Sequence, residues 1–367
     1  MMRWKLRILV LAAVAVAVPA CGGGGGGGGG GAPAANGLLS GLYHALSFRN
    51  SWQGGSHTDA SRSGTGTFDG LGGATVSTTD NADGTVSGPT VRAWTYSVAA
   101  DRTLAATIPV GLSSLSGGVL AAGDLALAAT VSPASRPEIW LFARKGGATF
   151  SNADLSGDYF LCTFAVEPTA PLHRSRTGTV TFDGMGGYAS SLTRNDEGVI
   201  TGPAASAGTY AVAADGAFSF VDGTATSTGG VLAGGTVAIA GSTSPLADPE
   251  VLVLVKKGGA FTDASLSGDY FACMFEFDLA AASHRSETGL ITFDGAGALA
   301  YSWTVNDYGT IVPVSGVGTY GVAPDGTVTS VSGGETLSGG VLNGGSVAVV
   351  ASTSAGSDPQ LLILLKK

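Results

Sequence analysis

The sequence predicts an all-β protein in which one folding unit of about 110 residues occurs three times in tandem. Short motifs recur at that spacing, and each copy alternates short apolar or threonine-rich segments with turn residues. No segment after Cys21 keeps a helical period, and 60 of the 367 residues are glycine, which disfavours helices. Together these features predict three tandem antiparallel β-units.

Residues 1–20 have the pattern of an export signal. Three basic residues precede an apolar run, 8–18, which is too short to cross a bilayer as a helix. The tetrad Val-Pro-Ala-Cys that ends at Cys21 resembles the lipobox of bacterial lipoproteins, whose cysteine is lipidated and becomes the mature N-terminus. The resemblance implies a lipid anchor on Cys21. Because Gly22 and not aspartate follows, it also implies the outer membrane of a Gram-negative bacterium.

Residues 21–38 predict a disordered tether. Ten consecutive glycines, 22–31, have much backbone freedom to lose and no side chains to bury. A glycine-rich chain of this length spans roughly 20–24 Å root-mean-square. We exclude a phosphate-binding loop, because no strand precedes these glycines and no helix follows them.

The charge balance excludes some partners. The chain has 18 basic and 27 acidic residues, a formal net charge of −9, and no basic stripe. An acidic protein of this kind is a poor candidate for nucleic-acid binding. It would also not dock on anionic lipid by charge, so we expect the covalent lipid to supply the membrane attachment.

Three short motifs define the repeats. They are Leu-Ser-Gly-x-Tyr at 39–43, 155–159 and 266–270, Phe-Asp-Gly at 68–70, 182–184 and 293–295, and Gly-Val-Leu at 118–120, 230–232 and 340–342. An apolar run followed by basic residues closes each copy. We therefore predict β-domains at 39–154, 155–265 and 266–367.

The second copy shows the strand pattern within a repeat. Its apolar or threonine-rich segments are 159–166, 177–182, 188–193, 208–213, 217–221, 227–232, 236–240 and 251–255. Asp-Gly and Gly-Gly turns separate most of them, and such turns suit tight hairpins. Eight short strands in a meander can close into an up-and-down barrel, which removes the exposed edges.

Two alternatives to the barrel stay open at this point. A row of β-sandwiches also has regular short strands with turn signals. A six-bladed propeller made from 24 strands would need a repeat near 55 residues within each copy, and the sequence does not contain one.

The two ends of each copy carry a further pattern: Gly-x-Tyr on the first strand and a basic residue after the last. This pair resembles the calycin signature of lipocalins and avidins, in which Gly-x-Trp on strand one packs against an Arg or Lys from the last strand. The matching residues are Gly41, Tyr43 and Arg144 or Lys145; Gly157, Tyr159 and Lys256 or Lys257; Gly268, Tyr270 and Lys366 or Lys367. The resemblance implies up-and-down barrels closed at these residues, each with room for a small internal ligand.

Cysteines and histidines give no metal-site spacing. Cys162 and Cys273 occupy equivalent positions where the first copy has Leu46, which predicts two buried free thiols. The four histidines and the cysteines lack zinc-ligand spacings, and duplication explains why His-Arg-Ser recurs at 173–175 and 284–286. We therefore predict no metal and no cofactor from the sequence.

Acidic residues recur in the hairpin turns. They are Asp80 and Asp83, Asp196 and Glu197, and Asp307. Calcium prefers oxygen-rich loops, but these residues lack the close spacing of a calcium loop, and hairpin turns account for them locally.

The closing strands are apolar at every position, for example 251–255 and 361–365. A barrel strand that faced water would alternate, so both faces of these strands should be buried. We expect a neighbouring domain to cover them. The alternative cover is a binding partner on an exposed apolar patch.

No catalytic motif is recognisable in the chain. We therefore expect a lipid-anchored envelope protein that binds an envelope partner or has a structural role, without catalysis. The first alternative is a carrier of a small apolar ligand inside a barrel. The least favoured is a hydrolase that uses carboxylates from different turns.

Overall fold

The computed structural model describes residues 35–53, 56–109, 113–132, 136–147, 149–167 and 172–367, which belong to one compact unit. Cys21 and the side chain of His57 lie outside the described part. The helical elements in the described ranges are three short 3₁₀ turns, Asn36–Leu38, Asn152–Asp154 and Asp263–Ser265. None of the described helices has the length and apolar character needed to cross a membrane.

The fold consists of three closed antiparallel barrels, each of eight strands paired in sequence order. Barrel 1 contains β1 Ser40–Gln53, β2 Ser56–Asp69, β3 Gly73–Ala82, β4 Thr85–Val98, β5 Thr103–Ile108, β6 Ser113–Val119, β7 Leu125–Thr130 and β8 Glu138–Arg144. Barrel 2 contains β9 Ser156–Glu167, β10 Leu172–Asp183, β11 Gly187–Asp196, β12 Val199–Val212, β13 Ala217–Asp222, β14 Ala225–Val231, β15 Val237–Ser242 and β16 Glu250–Lys256. Barrel 3 contains β17 Ser267–Asp278, β18 Ser283–Asp294, β19 Ala298–Asp307, β20 Thr310–Val322, β21 Thr327–Ser332, β22 Glu335–Val341, β23 Val347–Ser352 and β24 Gln360–Lys366.

The first and last strands of every barrel pair directly, β1 with β8, β9 with β16 and β17 with β24. This pairing confirms the predicted tandem up-and-down barrels and excludes the sandwich and the propeller. Each 3₁₀ turn caps the barrel that follows it. For example, the Tyr210 hydroxyl donates to the carbonyls of Asn152 and Leu155.

The three barrels share one core outside their lumens. Outward-facing apolar residues of the first, seventh and eighth strands of each barrel form a single buried cluster. At its centre the rings of Phe48, Phe164 and Phe275 meet edge to face, with centroid separations of 5.2, 5.0 and 5.1 Å. These equal separations define a pseudo-threefold axis. As the sequence predicts, neighbouring barrels cover the apolar closing strands.

The barrels form a closed ring around this axis. Barrel 1 contacts barrel 2 through β2 and β15, barrel 2 contacts barrel 3 through β10 and β23, and barrel 3 contacts barrel 1 through β18 and β7. The same hydrogen bond recurs at each junction, as Ser61 with Ser242, Ser175 with Ser352, and Ser286 with Thr130, at 2.8–2.9 Å. The ring is thus an intrachain equivalent of a cyclic trimer.

Candidate functional site on the axis of the ring

The repeat motifs place the closed end of each barrel. Tyr43, Tyr159 and Tyr270 are fully buried, and each hydroxyl donates to a glycine carbonyl of the turn after the sixth strand, at 2.6–2.7 Å. The preceding Gly41, Gly157 and Gly268 have φ of 96°, 83° and 83°, a conformation that requires glycine. This backbone requirement gives the Gly-x-Tyr motif a structural reason.

The two basic residues at the end of each copy have different positions. Arg144, Lys256 and Lys366 pair in register with the three tyrosines, with their cationic groups 5.5, 5.7 and 5.9 Å from the ring centroids. The following lysines instead reach the next barrel. They are Lys145 on Asp215, Lys257 on Asp325 and Lys367 on Asp101, at 2.6–2.8 Å. Both sets therefore have structural positions, one closing the lumen and one joining the barrels.

The lumen of barrel 2 is filled mainly by aromatic side chains. Phe182, Tyr210 and Phe218 are all buried in its core. A cavity of about 30 Å³ remains, lined by residues that include Thr163, Arg176 and Glu250. That volume has room for one or two water molecules.

The opposite, open end of each lumen carries buried charges. An arginine there pairs with several carboxylates: Arg62 with Asp80 and Glu138, Arg174 with Glu167, Asp196 and Asp248, and Arg285 with Glu276, Asp278 and Asp307. The acidic turn residues Asp80, Asp196 and Asp307 thus serve as arginine partners, a role that turn chemistry alone does not predict.

Both cysteines in the described ranges lie in the shared core. Cys162 and Cys273 are free and buried, as predicted. Burial raises the pKa of both thiols to about 12, so neither is a nucleophile at neutral pH.

A polar cluster lies on the pseudo-threefold axis, near the open ends of the barrels. Asp59, His173 and His284 occupy equivalent positions on the second strands β2, β10 and β18, two residues before the serines that join the barrels. Their exposed fractions are 5%, 6% and 1%. One donor atom from each lies within 4.8 Å of the other two. Two imidazoles and a carboxylate are a donor set that can hold a metal ion.

The imidazole of His173 is positioned by groups from two barrels. Its Nδ1 lies 2.8 Å from Oε1 of Glu197, which also accepts the backbone N–H of His173 at 3.1 Å. The ring stacks on Phe277 of barrel 3, with centroids 3.4 Å apart and planes inclined by 8°. Because a carboxylate only accepts, Nδ1 of His173 donates its hydrogen to Glu197.

A chain of hydrogen bonds positions His284 and Asp59. The Tyr308 hydroxyl lies 3.0 Å from Nδ1 of His284 and donates to Oδ1 of Asn50 at 2.8 Å. The Asn50 amide in turn donates to Oδ1 of Asp59 at 2.8 Å. The Tyr308 hydroxyl therefore links the His284 imidazole to the Asn50 amide, and through it to Asp59. Nε2 of His284 lies 3.4 Å from Oδ1 of Asp59.

The electrostatics of the cluster follow from this burial. Desolvation raises the pKa of Asp59 to about 7, and the hydrogen bond from Asn50 opposes the shift. A buried carboxylate beside two imidazoles favours a cation between them, whether a proton or a metal ion.

The sequence contained a signal for this cluster that spacing rules do not detect. His173-Arg174-Ser175 and His284-Arg285-Ser286 recur, and Asp59-Ala60-Ser61 is the third copy of the same position. Zinc-ligand motifs describe residues close together in one segment, whereas these three residues are more than 100 positions apart. Only closure of the ring brings them together.

The fold and the axial cluster define a ring of three eight-stranded barrels with a polar centre. In comparison with known proteins, no family model and no curated sequence matches the chain.

Proposed function

We propose that this protein is a lipid-anchored, non-catalytic binding protein of the cell envelope, held at the outer membrane of a Gram-negative bacterium through Cys21. The observation that carries the proposal is that the chain enters the ring at one end and the axial cluster lies at the other. The chain enters the ring at the closed end of barrel 1, whereas the buried charges and the axial cluster gather at the open ends. A tethered ring would therefore present its open end, with the axial cluster, away from the point of attachment.

Exposed apolar side chains occur on turns at the closed end, where the described chain begins. Asn36, where the described chain begins its first turn, donates to the carbonyl of Leu71 at 3.1 Å. Leu71 and the equivalent Met185 are 85% and 81% exposed on the turns between the second and third strands. Such side chains can contact a lipid surface, as can Leu246, which is 92% exposed on the turn between β15 and β16 at the open end.

The filled lumen of barrel 2 supports binding at the surface of the ring more than carriage inside that barrel. A cavity of about 30 Å³ is too small for an apolar ligand of several carbon atoms. The likeness of the closed ends to the calycin signature supports common barrel architecture and leaves the ligand open. A partner protein in the envelope is the occupant that we propose for the open end.

The anchor can be tested by substituting the cysteine. Cys21→Ser should abolish incorporation of an alkyne palmitate analogue and shift the protein from the membrane fraction to a soluble form or an uncleaved precursor. Metabolic labelling followed by fractionation measures both effects. Cys162→Ser, which alters a buried thiol in the ring, should leave labelling unchanged. Equal labelling of the Cys21→Ser variant and the native protein would refute the lipid anchor.

A further inference from the structure

We infer that Asp59, His173 and His284 bind one divalent transition-metal ion on the pseudo-threefold axis, with Zn²⁺ or Co²⁺ as suitable occupants. The inference goes beyond the envelope-binding proposal and does not depend on the lipid anchor. It rests on the convergence of three donors, one from each barrel, in the buried centre of the ring.

The distances suit a small ion. Nε2 of His284 and Oδ1 of Asp59 are 3.4 Å apart. Two ligands that each lie about 2.1 Å from a tetrahedral zinc ion are also about 3.4 Å apart. The longest separation among the three donors is within 4.8 Å, so the donors need to approach by no more than about 1.4 Å.

Each axial imidazole has a polar partner on its Nδ1. Nδ1 of His173 lies 2.8 Å from Oε1 of Glu197, and Nδ1 of His284 lies 3.0 Å from the Tyr308 hydroxyl, so an ion on the axis would be held through Nε2 of each ring. Metal-bound histidines characteristically donate their other N–H to a carboxylate, carbonyl or hydroxyl, which orients the ring. Both axial histidines already have this outer partner.

The donor types select the class of metal. Imidazole nitrogen with one carboxylate oxygen suits Zn²⁺, Co²⁺, Ni²⁺ and Fe²⁺, whereas Ca²⁺ and Mg²⁺ prefer oxygen ligands alone. Three protein ligands leave a fourth position for water or a small anion. An ion here would also join all three barrels, so it would bind the closed ring more tightly than the opened chain.

The test uses the full chain, purified in detergent and stripped with a chelator. Titration with Co²⁺ should give one binding event per chain and visible d–d absorption, and Zn²⁺ should compete and raise the melting temperature. Ca²⁺ should do neither. His284→Gln should weaken Co²⁺ binding by more than about tenfold. Removing only the hydrogen-bond partner of a metal-bound histidine already has an effect of about that size.

Matched variants separate the axial site from adventitious binding. His44→Phe removes a buried histidine elsewhere in the ring and should bind Co²⁺ like the native chain. Asp59→His gives barrel 1 the histidine that the other two barrels have at this position. This variant should still bind Co²⁺, with an altered d–d spectrum. Tyr308→Phe keeps all three ligands and should weaken binding about tenfold.

The variants also keep the inference falsifiable if one of them misfolds. If circular dichroism shows that His284→Gln is unfolded, Tyr308→Phe and Asp59→His decide the question. Absence of saturable Co²⁺ and Zn²⁺ binding to the native chain would overturn the inference. Equal Co²⁺ affinity of the native, Tyr308→Phe and Asp59→His proteins, with an unchanged spectrum, would also overturn it.

Discussion

His44 occupies a junction between barrels where the equivalent residues are Phe160 and Phe271. Its side chain is 2% exposed, and its ring lies over Gly230 of barrel 2. Nε2 of His44 has no hydrogen-bond partner among the described residues. Burial, with a smaller contribution from the nearby Lys145 charge, lowers the pKa of His44 to about 4. The ring therefore holds this imidazole in its neutral form.

A pH dependence of stability follows from His44. The unfolded chain takes up a proton near pH 6.5, whereas the folded chain resists it down to about pH 4. The stability contributed by neutral His44 is thus complete above pH 6.5 and is lost as the pH falls toward 4. Between pH 7.5 and 4.5 the free energy of unfolding should fall by about 2–3 kcal/mol through this residue.

Urea unfolding of the native chain and His44→Phe at both pH values measures this contribution. All other titrating groups are common to the two proteins, so their difference isolates His44. We expect His44→Phe to gain about 2–3 kcal/mol relative to the native chain on going to pH 4.5. Parallel pH profiles for the two proteins would show that the imidazole is not held neutral.

For individual residues, the sequence predicted the burial of the cysteines but not the grouping of the axial residues. The buried state of Cys162 follows from Leu46 at the equivalent position, because one site accepts both apolar groups. The grouping of Asp59 with His173 and His284 could not be inferred from spacing, since each lies in a different barrel. Their contact depends on how the barrels close around the axis, which no local pattern encodes.

At the scale of elements, the sequence predicted all eight strands of barrel 2 but shortened several. For example, segment 208–213 is the apolar end of β12, which in the structure is Val199–Val212. The first ten residues of β12 are exposed or half-buried, so they lack the alternation that reveals a strand. Hydrogen-bonding between neighbouring strands extends these hairpins without any requirement for burial.

Each of the sixth strands β6, β14 and β22 has a glycine at a ring junction where a larger side chain would not fit. A Cβ added at Gly118, Gly230 or Gly340 would overlap the ring of Phe271, His44 or Phe160 from the neighbouring barrel. We therefore expect Gly340→Ala to destabilise the ring by about 1–3 kcal/mol or more through overpacking. Thermal or urea unfolding gives the change in free energy.

Gly147→Ala is the matched control, because a Cβ at Gly147 meets no atom within 4 Å. Its effect on the free energy of unfolding should stay within about 0.5 kcal/mol. If Gly340→Ala were as mild as Gly147→Ala, Phe160 would not be packed against β22 as the structure places it.

At the scale of the whole molecule, the sequence predicted three β-domains, and the three barrels of the structure share one core. The fully apolar closing strands indicated a covering neighbour but not its arrangement. The ring closes because each barrel has a serine on its second strand and a hydroxyl side chain on its seventh strand. The second-strand serine of each barrel forms a hydrogen bond with the seventh-strand hydroxyl of the next barrel. Such head-to-tail contacts close into a ring when the rotation suits three copies.

A single repeat contains both halves of this junction. In barrel 2, Phe160 packs on Gly340 of barrel 3, and the equivalent Gly230 lies within barrel 2 itself. Barrel 2 also has both junction hydroxyls, because Ser175 bonds to barrel 3 and Ser242 bonds to barrel 1. We expect residues 149–257, expressed alone, to assemble as a homotrimer, because the isolated barrel would otherwise expose the apolar faces of β9, β15 and β16.

Light scattering coupled to size-exclusion chromatography gives the mass of this species directly. Phe164→Asp would place three carboxylates at the centre of the trimer and should prevent assembly, since buried like charges are strongly disfavoured. Val199→Asp, on an exposed position, should leave the trimer intact. A stable, folded monomer of the unsubstituted repeat would mean that each barrel is independent and that ring closure requires the covalent linkage of three different copies.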